Sequence, residues 1–499
     1  MFFDINSFTA KIICENEVSD AVIETVSREN ELDVFLTAKE DKPKFVELHW
    51  NVSAADNTVV SGDAWERSYG ELEFRKLSEN NRFMPWYFIA TNKKECFCFG
   101  IKTQAKAFVS FRYDITGITA LLDVRNGGNG VHLEGRKICL ATFLYSHYDN
   151  GNVFENLCDY CKKLCDKPLL PEGRIYGGNN WYYAYGKSSY EQIISDAKLQ
   201  VELSRGIENK PFQVIDDCWQ INPCAGPWLP NEKFGDMKKL ADEIKEIGAR
   251  PGIWVRLLRN LDASITDEMK IQRPGEEKYL DPTRKDVQEF IRRDLDRIKG
   301  WGYELVKHDF STFDLFGSWG KDLTSGITDT DNWHFYDKTK TNAEITVDLY
   351  KLIKDAVGDM IIIGCNTVSH LSAGLVHLSR TGDDTSGVEW ERTKKMGVNT
   401  LAFRLAQNKA FYMCDADCVG ILDDNIPWEK NSQWLHLLSF SNTPLFVSCT
   451  DKINEKQKND LKEAYRNFNI PHTIKPVDIF DTKTPSVWEI DGETVSYTW

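Results

Sequence analysis

The stretch that decides the fold begins at IYGGNNW (175–181) and runs through FQVIDDCW (212–219), RPGIWVRLL (250–258) and YELVKHDF (303–310). It continues with MIIIGCN (360–366), GLVHLSRTGDD (374–384), AFYMCDADC (410–418) and PLFVSCT (444–450). Each is a short, near-continuous apolar run. Between them lie amphipathic patterns such as KKLADEIKEIG, RKDVQEFIRRDLDRIKGWG and AEITVDLYKLIKDAVG. Strands apolar on both faces, alternating with helices, build a parallel sheet covered on its outer side. Eight such units occur in order, the number that closes a (β/α)8 barrel. The predicted fold class is α/β, a (β/α)8 TIM barrel with an N-terminal β-sandwich domain.

Working outward, residues 1–166 are read as the sandwich with a closing helix. DVFLTA, KFVELHWNV, WYFIAT, CFCFGIKT, AFVSFRY, ITALLDVR and KICLATFLYS are short runs rich in β-branched and aromatic residues, separated by charged or Gly/Asn turns such as RNGGNG. The helix carries Cys158, Cys161 and Cys165 at i, i+3, i+7, a buried face rather than a metal set. DKPLLPEGR then reads as a linker, residues 167–470 as the catalytic barrel and 471–499 as a short C-terminal β segment.

Of the 499 residues, 41% are hydrophobic and 27% charged, the balance of a soluble globular protein. No apolar run reaches membrane-spanning length, and MFFDINSFTAKIICENE lacks the features of a signal peptide. A net charge of −15 disfavours nucleic acid and anionic membranes as partners, leaving a neutral substrate. Thirteen cysteines without framework spacing read as reduced thiols, so a cytoplasmic protein is expected.

In such barrels the chemistry lies at the C-terminal strand ends. There the sequence places Trp181, then Asp216, Asp217 and Trp219, then Trp254, then Lys307 and Asp309. Cys365, Asn366 and Ser369 follow the fifth strand, Arg380, Asp383 and Asp384 the sixth, Asp415 and Asp417 the seventh. Carboxylates that bond hydroxyls, with indoles that pack on a pyranose, make a sugar-like pocket. Asp216 and Asp217 end a buried strand and must be hydrogen-bonded or functional. In K-x-D, Lys307 and Asp309 share a face, which suits a lysine keeping a nucleophile ionised, while His308 points away into packing. Arg380 and Asp384 are either a surface ion pair or the second carboxylate with its partner, and Asp383 competes for that role.

V-I-D-D-C-W-Q (214–220), G-P-W-L-P-N-E-K-F-G-D-M-K-K-L-A-D-E-I (226–244), A-R-P-G-I-W (249–254), V-K-H-D (306–309) and R-T-G-D-D-T (380–385) occur in that order. Together they resemble the motifs of the clan D glycoside hydrolases, families 27 and 36, mainly α-galactosidases. The resemblance covers about 174–450 and implies Asp309 as nucleophile and, by the R-x-G-x-D-T register, Asp384 as acid/base. It further implies Asp216 and Asp217 on the 4- and 6-hydroxyls of galactose, Lys307 on the 3- and 4-hydroxyls, and Trp181 and Trp254 as aromatic walls. Gly178 replaces the first Trp of the family's G-W-x-x-W, His308 stands where an aromatic is frequent, and C-N-T-V-S-H (365–370) departs from both families' loops around C2. The larger C-terminal β-domain of the family would begin about where VWEIDGETVSYTW stands.

The activity expected is a retaining exo-α-galactosidase working by double displacement through a covalent glycosyl-aspartate, without cofactor or metal. Lys307 would keep Asp309 charged, while a drier position or the adjacent Asp383 would raise Asp384. The partner is an oligosaccharide or glycoconjugate with a terminal α-linked galactose-type sugar, and a homo-oligomer is compatible with the sequence. The short, neutral Asn366 and Ser369 leave α-N-acetylgalactosaminidase as the alternative, with a related clan D glycosidase or transglycosidase behind it. A metal-dependent barrel hydrolase is disfavoured by nine histidines that lie mostly away from strand ends. A catalytically dead binding module is disfavoured by the intact K-x-D and R-x-G-x-D-T.

Overall fold

The computed structural model of the chain describes residues 3–15, 20–77, 82–275, 277–423 and 425–499. All seven runs read as N-terminal strands are strands. They belong to two antiparallel sheets of five and seven strands. Trp50 from the smaller sheet meets Phe99 and Phe143 of the larger one edge-on or tilted, at 5.1 and 5.6 Å between ring centroids. Two edge strands, Thr9–Cys14 and Val22–Arg28, were not expected from the sequence; both are largely solvent-facing, so no buried alternation marks them. The helix Val153–Leu164 buries Cys161, and Cys165 lies just beyond its last turn in extended backbone.

The parallel sheet follows the eight expected segments: β1 (Tyr176–Asn179), β2 (Phe212–Ile215), β3 (Arg250–Val255) and β4 (Leu305–His308). β5 (Ile361–Gly364), β6 (Leu378–Arg380), β7 (Met413–Asp415) and β8 (Leu445–Ser448) complete it. The chain of β7 resumes as Cys418–Gly420 after two residues, giving nine strand segments in one sheet. Its first half bonds to β6 and its second to β8, so the ring closes through Ala416 and Asp417. Asp417 sits at φ 71°, the left-handed turn that re-aims the strand.

Side-chain alternation then carries the barrel core up to the mouth. Val214, Leu305, Ile363, Leu378 and Met413 are buried together inside the ring. Two residues further along the same faces come Asp216, Lys307, Cys365, Arg380 and Asp415, all buried. Outward-facing positions pack on helices: Tyr176 meets Tyr465 at 4.9 Å, and His308 faces Tyr350 at 5.9 Å. His308 is thus a packed core histidine, its basicity pushed down to about 4 by burial.

The sandwich docks on the barrel through Asp63–Tyr69. Ser68 pairs in parallel with Gly382, its amide donating to Thr381 O at 2.9 Å and its carbonyl accepting from Asp383 N at 3.0 Å. Beneath this, buried Arg404 donates to Asp63 Oδ1 at 2.7 Å, Glu66 O at 2.6 Å, Thr381 O at 2.9 Å and Ser369 Oγ at 3.1 Å. At the other end, Ile474–Pro476, Val487–Ile490 and Glu493–Ser496 form a small antiparallel sheet. Its Trp488 is buried in the same cluster as Trp434 and Tyr465 of the last helices. Among the described residues no helix is long and apolar enough to cross a membrane.

Candidate active site

Carboxylates and cations from several strand ends meet at the mouth. Asp216 Oδ2 accepts from Lys307 Nζ at 2.8 Å and from Asn179 Nδ2 at 2.7 Å, while its amide donates to Asn180 Oδ1 at 2.7 Å. Asp216 is therefore the anion that Lys307 grips, not Asp309 as the K-x-D spacing suggested. Burial works against the Lys307 ammonium, but Asp216 first, and Cys365 and Asp309 behind it, hold its pKa well above the usual lysine value.

Asp309 follows β4 and is only 9% exposed. Its Oδ2 accepts from Trp254 Nε1 at 3.2 Å and its Oδ1 from Phe310 N at 2.7 Å. Phe310 itself sits at φ 62°, an unfavourable left-handed turn for an L-residue. Asp217 repeats the device: Cys218, at φ 77°, donates its amide to Asp217 Oδ1 at 2.7 Å. Both strand-end carboxylates are thus followed by a non-glycine residue in the left-handed region. Asp217 also accepts from Gln220 Nε2 at 2.6 Å, Cys224 N at 3.0 Å and Cys224 Sγ at 2.8 Å, which ties it to the hairpin Gln220–Asn222/Ala225–Pro230.

On the opposite rim, Arg380 is 2% exposed and reaches three groups. Its Nη2 lies 2.7 Å from Asp417 Oδ2 and 3.4 Å from Asp384 Oδ1, and its Nη1 donates to Cys365 Sγ at 3.4 Å. Asp417 is further held by the Tyr182 hydroxyl and by Thr385 N at 2.8 Å. Asp384 keeps 37% of its side-chain surface, whereas Asp383 is clamped by Arg67 at 2.8 Å and Arg392 at 2.7 Å. Of the two, Asp384 is the carboxylate left available at the mouth.

Its protonation differs from the sequence expectation. Burial does push the Asp384 carboxyl up, but Arg380, Arg67, Lys307 and Arg392 together outweigh it and hold it below the usual range. Asp383, expected to raise it, is instead neutralised by its two arginines.

The aromatic residues are also redistributed. Trp181 opens the short helix Trp181–Ala184 instead of ending β1, and its half-buried ring packs on the interior barrel core and edge-on against Tyr185 at 5.8 Å. Gly178 faces the helix layer, where an added Cβ would come 2.4 Å from Gln213 Oε1, so a ring missing there removes no wall of the pocket. Trp254 is buried and serves Asp309 through its indole N–H. Trp219 is wholly buried behind it, donating to Trp254 O at 2.8 Å.

Asn366 and Ser369, which follow β5, are both buried. Asn366 Oδ1 accepts from Phe313 N at 3.1 Å and its Nδ2 donates to Glu66, while Ser369 is taken by Arg404. The polar groups of both short side chains are thus engaged by protein neighbours.

The sequence missed the residues that close this side. Arg67 comes from the sandwich and stands over Trp319 at 5.3 Å, and Trp319 stacks on Phe313 at 4.5 Å. Buried Glu66 accepts from Tyr69 Oη at 2.5 Å and Gly320 N at 2.8 Å. The only signal was a Trp-Glu-Arg triplet in a loop between strand runs.

No protein-family model matches the sequence. A 138-residue stretch is 25% identical to ribosomal RNA large subunit methyltransferase E of Picrophilus torridus, spanning 26% of this chain and 66% of that protein. Among solved structures, the chain is similar to TtGalA, an α-galactosidase from Thermus thermophilus in complex with p-nitrophenyl α-D-galactopyranoside. The TM-score is 0.66 at 14% identity, over 98% of this chain and 99% of that one. The GH36 α-galactosidase AgaA from Geobacillus stearothermophilus gives 0.60 at 14% identity, over 90% and 67%. A variant of AgaA in complex with raffinose gives 0.60 at 13% identity over the same shares. The fold expected from the motifs is the fold these proteins have.

Proposed function

We propose that the chain is a retaining exo-α-galactosidase acting on oligosaccharides or glycoconjugates with a terminal α-linked galactose. The observation that carries this reading is the pair of opposed carboxylates at one mouth: Asp309 oriented by Trp254 and the Phe310 amide, and Asp384 held by Arg380. The solved neighbours with bound p-nitrophenyl α-galactoside and raffinose support the substrate class.

Asp309 Oδ attacks C1 as the bond from C1 to the leaving oxygen breaks, through an oxocarbenium-like transition state, and a glycosyl-aspartate forms. Asp384 gives its proton to that oxygen and then takes one from the water that attacks C1, which returns Asp309 as carboxylate. Lys307 and Asp216 present a donor and an acceptor to ring hydroxyls, and their mutual bond fixes both. Sugar filling the mouth strips the remaining water from Asp384, and desolvation favours the protonated form needed for the first step.

Asp384→Ala is expected to slow galactosides with poor leaving groups by about 10²–10⁴-fold while sparing activated nitrophenyl substrates, since only the former need protonation. If Asp383→Ala shows that signature and Asp384→Ala does not, the register is off by one. Proton NMR of the first-formed sugar is expected to show α-galactose from an α-galactoside; first-formed β-galactose would contradict a double displacement. In line with the galactosides bound by the solved neighbours, kcat/KM is expected to favour nitrophenyl α-galactoside over its 2-acetamido analogue, and a clear reverse preference would overturn the sugar assignment.

A further inference from the structure

Arg67 is carried by the sandwich yet finishes inside the barrel's mouth. The Ser68–Gly382 pairing lays its segment along the acid/base loop, and Arg404 pins that segment from beneath. The guanidinium is 6% exposed. Its Nη2 lies 2.8 Å from Asp383 Oδ1, and its Nη1 lies 3.9 Å from Asp384 Oδ1 and 4.0 Å from Cys365 Sγ. Rings flank it on two sides, Trp319 at 5.3 Å and Tyr69 at 5.8 Å. Its Nε meets no acceptor among the described residues. A buried charge with one donor unused is costly, and such groups persist mainly where they act.

We propose that Arg67 is a positioning residue for the acid/base, supplied by the N-terminal sandwich: it draws Asp383 out of the mouth and sets a second cation beside Asp384. The acid/base loop is then complete only with the sandwich docked. This rests on Asp384 being the acid/base.

The groups facing Asp384 are few. Arg380 comes from β6, Lys307 from β4 and Arg392 from the helix Trp390–Thr393, with Arg67 opposite and Asp383 alongside. The Tyr182 hydroxyl also lies near Asp384, and it donates to Asp417, which is paired with Arg380. Removing Arg67 leaves burial less opposed, so Asp384 protonates more readily and stays an acid to higher pH. Removing the Asp383 charge has the opposite sign.

The test is the pH dependence of kcat/KM for an alkyl α-galactoside, with nitrophenyl α-galactoside as the activated comparison. Arg67→Gln is expected to move the alkaline limb up by about one pH unit, at the low end for a nearby charge because Asp384 is partly solvated. Arg67→Lys, which keeps the cation, is expected to restore most of the wild-type limb. Asp383→Asn, should Arg67→Gln fail to fold, is expected to move the limb down by about half a unit. A limb that stays in place in folded Arg67→Gln and Asp383→Asn overturns the proposal. Asp384→Ala separates the two layers: without its leaving-group signature, the acid/base assignment itself is at fault, not Arg67.

Discussion

Asp309→Ala is expected to abolish turnover, with a loss in kcat of about 10⁴-fold or more, while the protein stays folded. The carboxylate stands at the end of β4 and is aimed by both an indole N–H and a main-chain amide, at 3.2 and 2.7 Å. Without it no bond to C1 forms, and neither the Lys307–Asp216 pair nor the Arg380 cluster, paired at other strand ends, is placed to take over. Those same pairs keep the rim in place in the variant, so circular dichroism and the melting temperature should stay close to wild type. Wild-type-like turnover by a well-folded Asp309→Ala protein would remove the nucleophile assignment.

The second large effect is on stability. Arg404→Leu is expected to cost about 3–5 kcal/mol in denaturant unfolding, because it strands the Asp63 carboxylate in the interior. Both side chains are 1% exposed, and after the change the Gln407 amide, at 2.8 Å, is the one partner left on Asp63 among the described residues. The Glu66 and Thr381 carbonyls lose a donor at the same time, so the sandwich segment and the acid/base loop come loose together. Adding Asp63→Leu to Arg404→Leu should recover part of the loss, since the stranded charge is gone. A shift within ±0.5 kcal/mol, the range of an ordinary surface change, would mean the hub does not hold the two parts together.

The eight barrel strands were legible because each is apolar on both faces, and the period of two then placed Asp216, Lys307, Cys365, Arg380 and Asp415 at their ends. What failed to show was set by contacts between segments far apart in sequence. Lys307 could be put on the face of Asp309, but its preference for Asp216 depends on how β2 and β4 sit across the ring. Asn366 and Ser369 read as pocket residues from their place after β5; that the Phe313 amide and Glu66 engage the first and Arg404 the second could not be read from the sequence. The left-handed turns at Cys218 and Phe310 carry no glycine to announce them. Arg67 lies in a loop with no period at all, and only the docked sandwich brings it over Trp319 and beside Asp384.

A covalent bond from the sugar to one carboxylate is the step on which the proposed reaction depends. A fluorinated galactosyl fluoride, which forms the glycosyl-enzyme faster than it is hydrolysed, should inactivate the protein with a single adduct. Peptide mass spectrometry should place that adduct on Asp309, within the V-K-H-D segment. An adduct on Asp384 or Asp216, or steady turnover with first-formed β-galactose and no adduct, would contradict it.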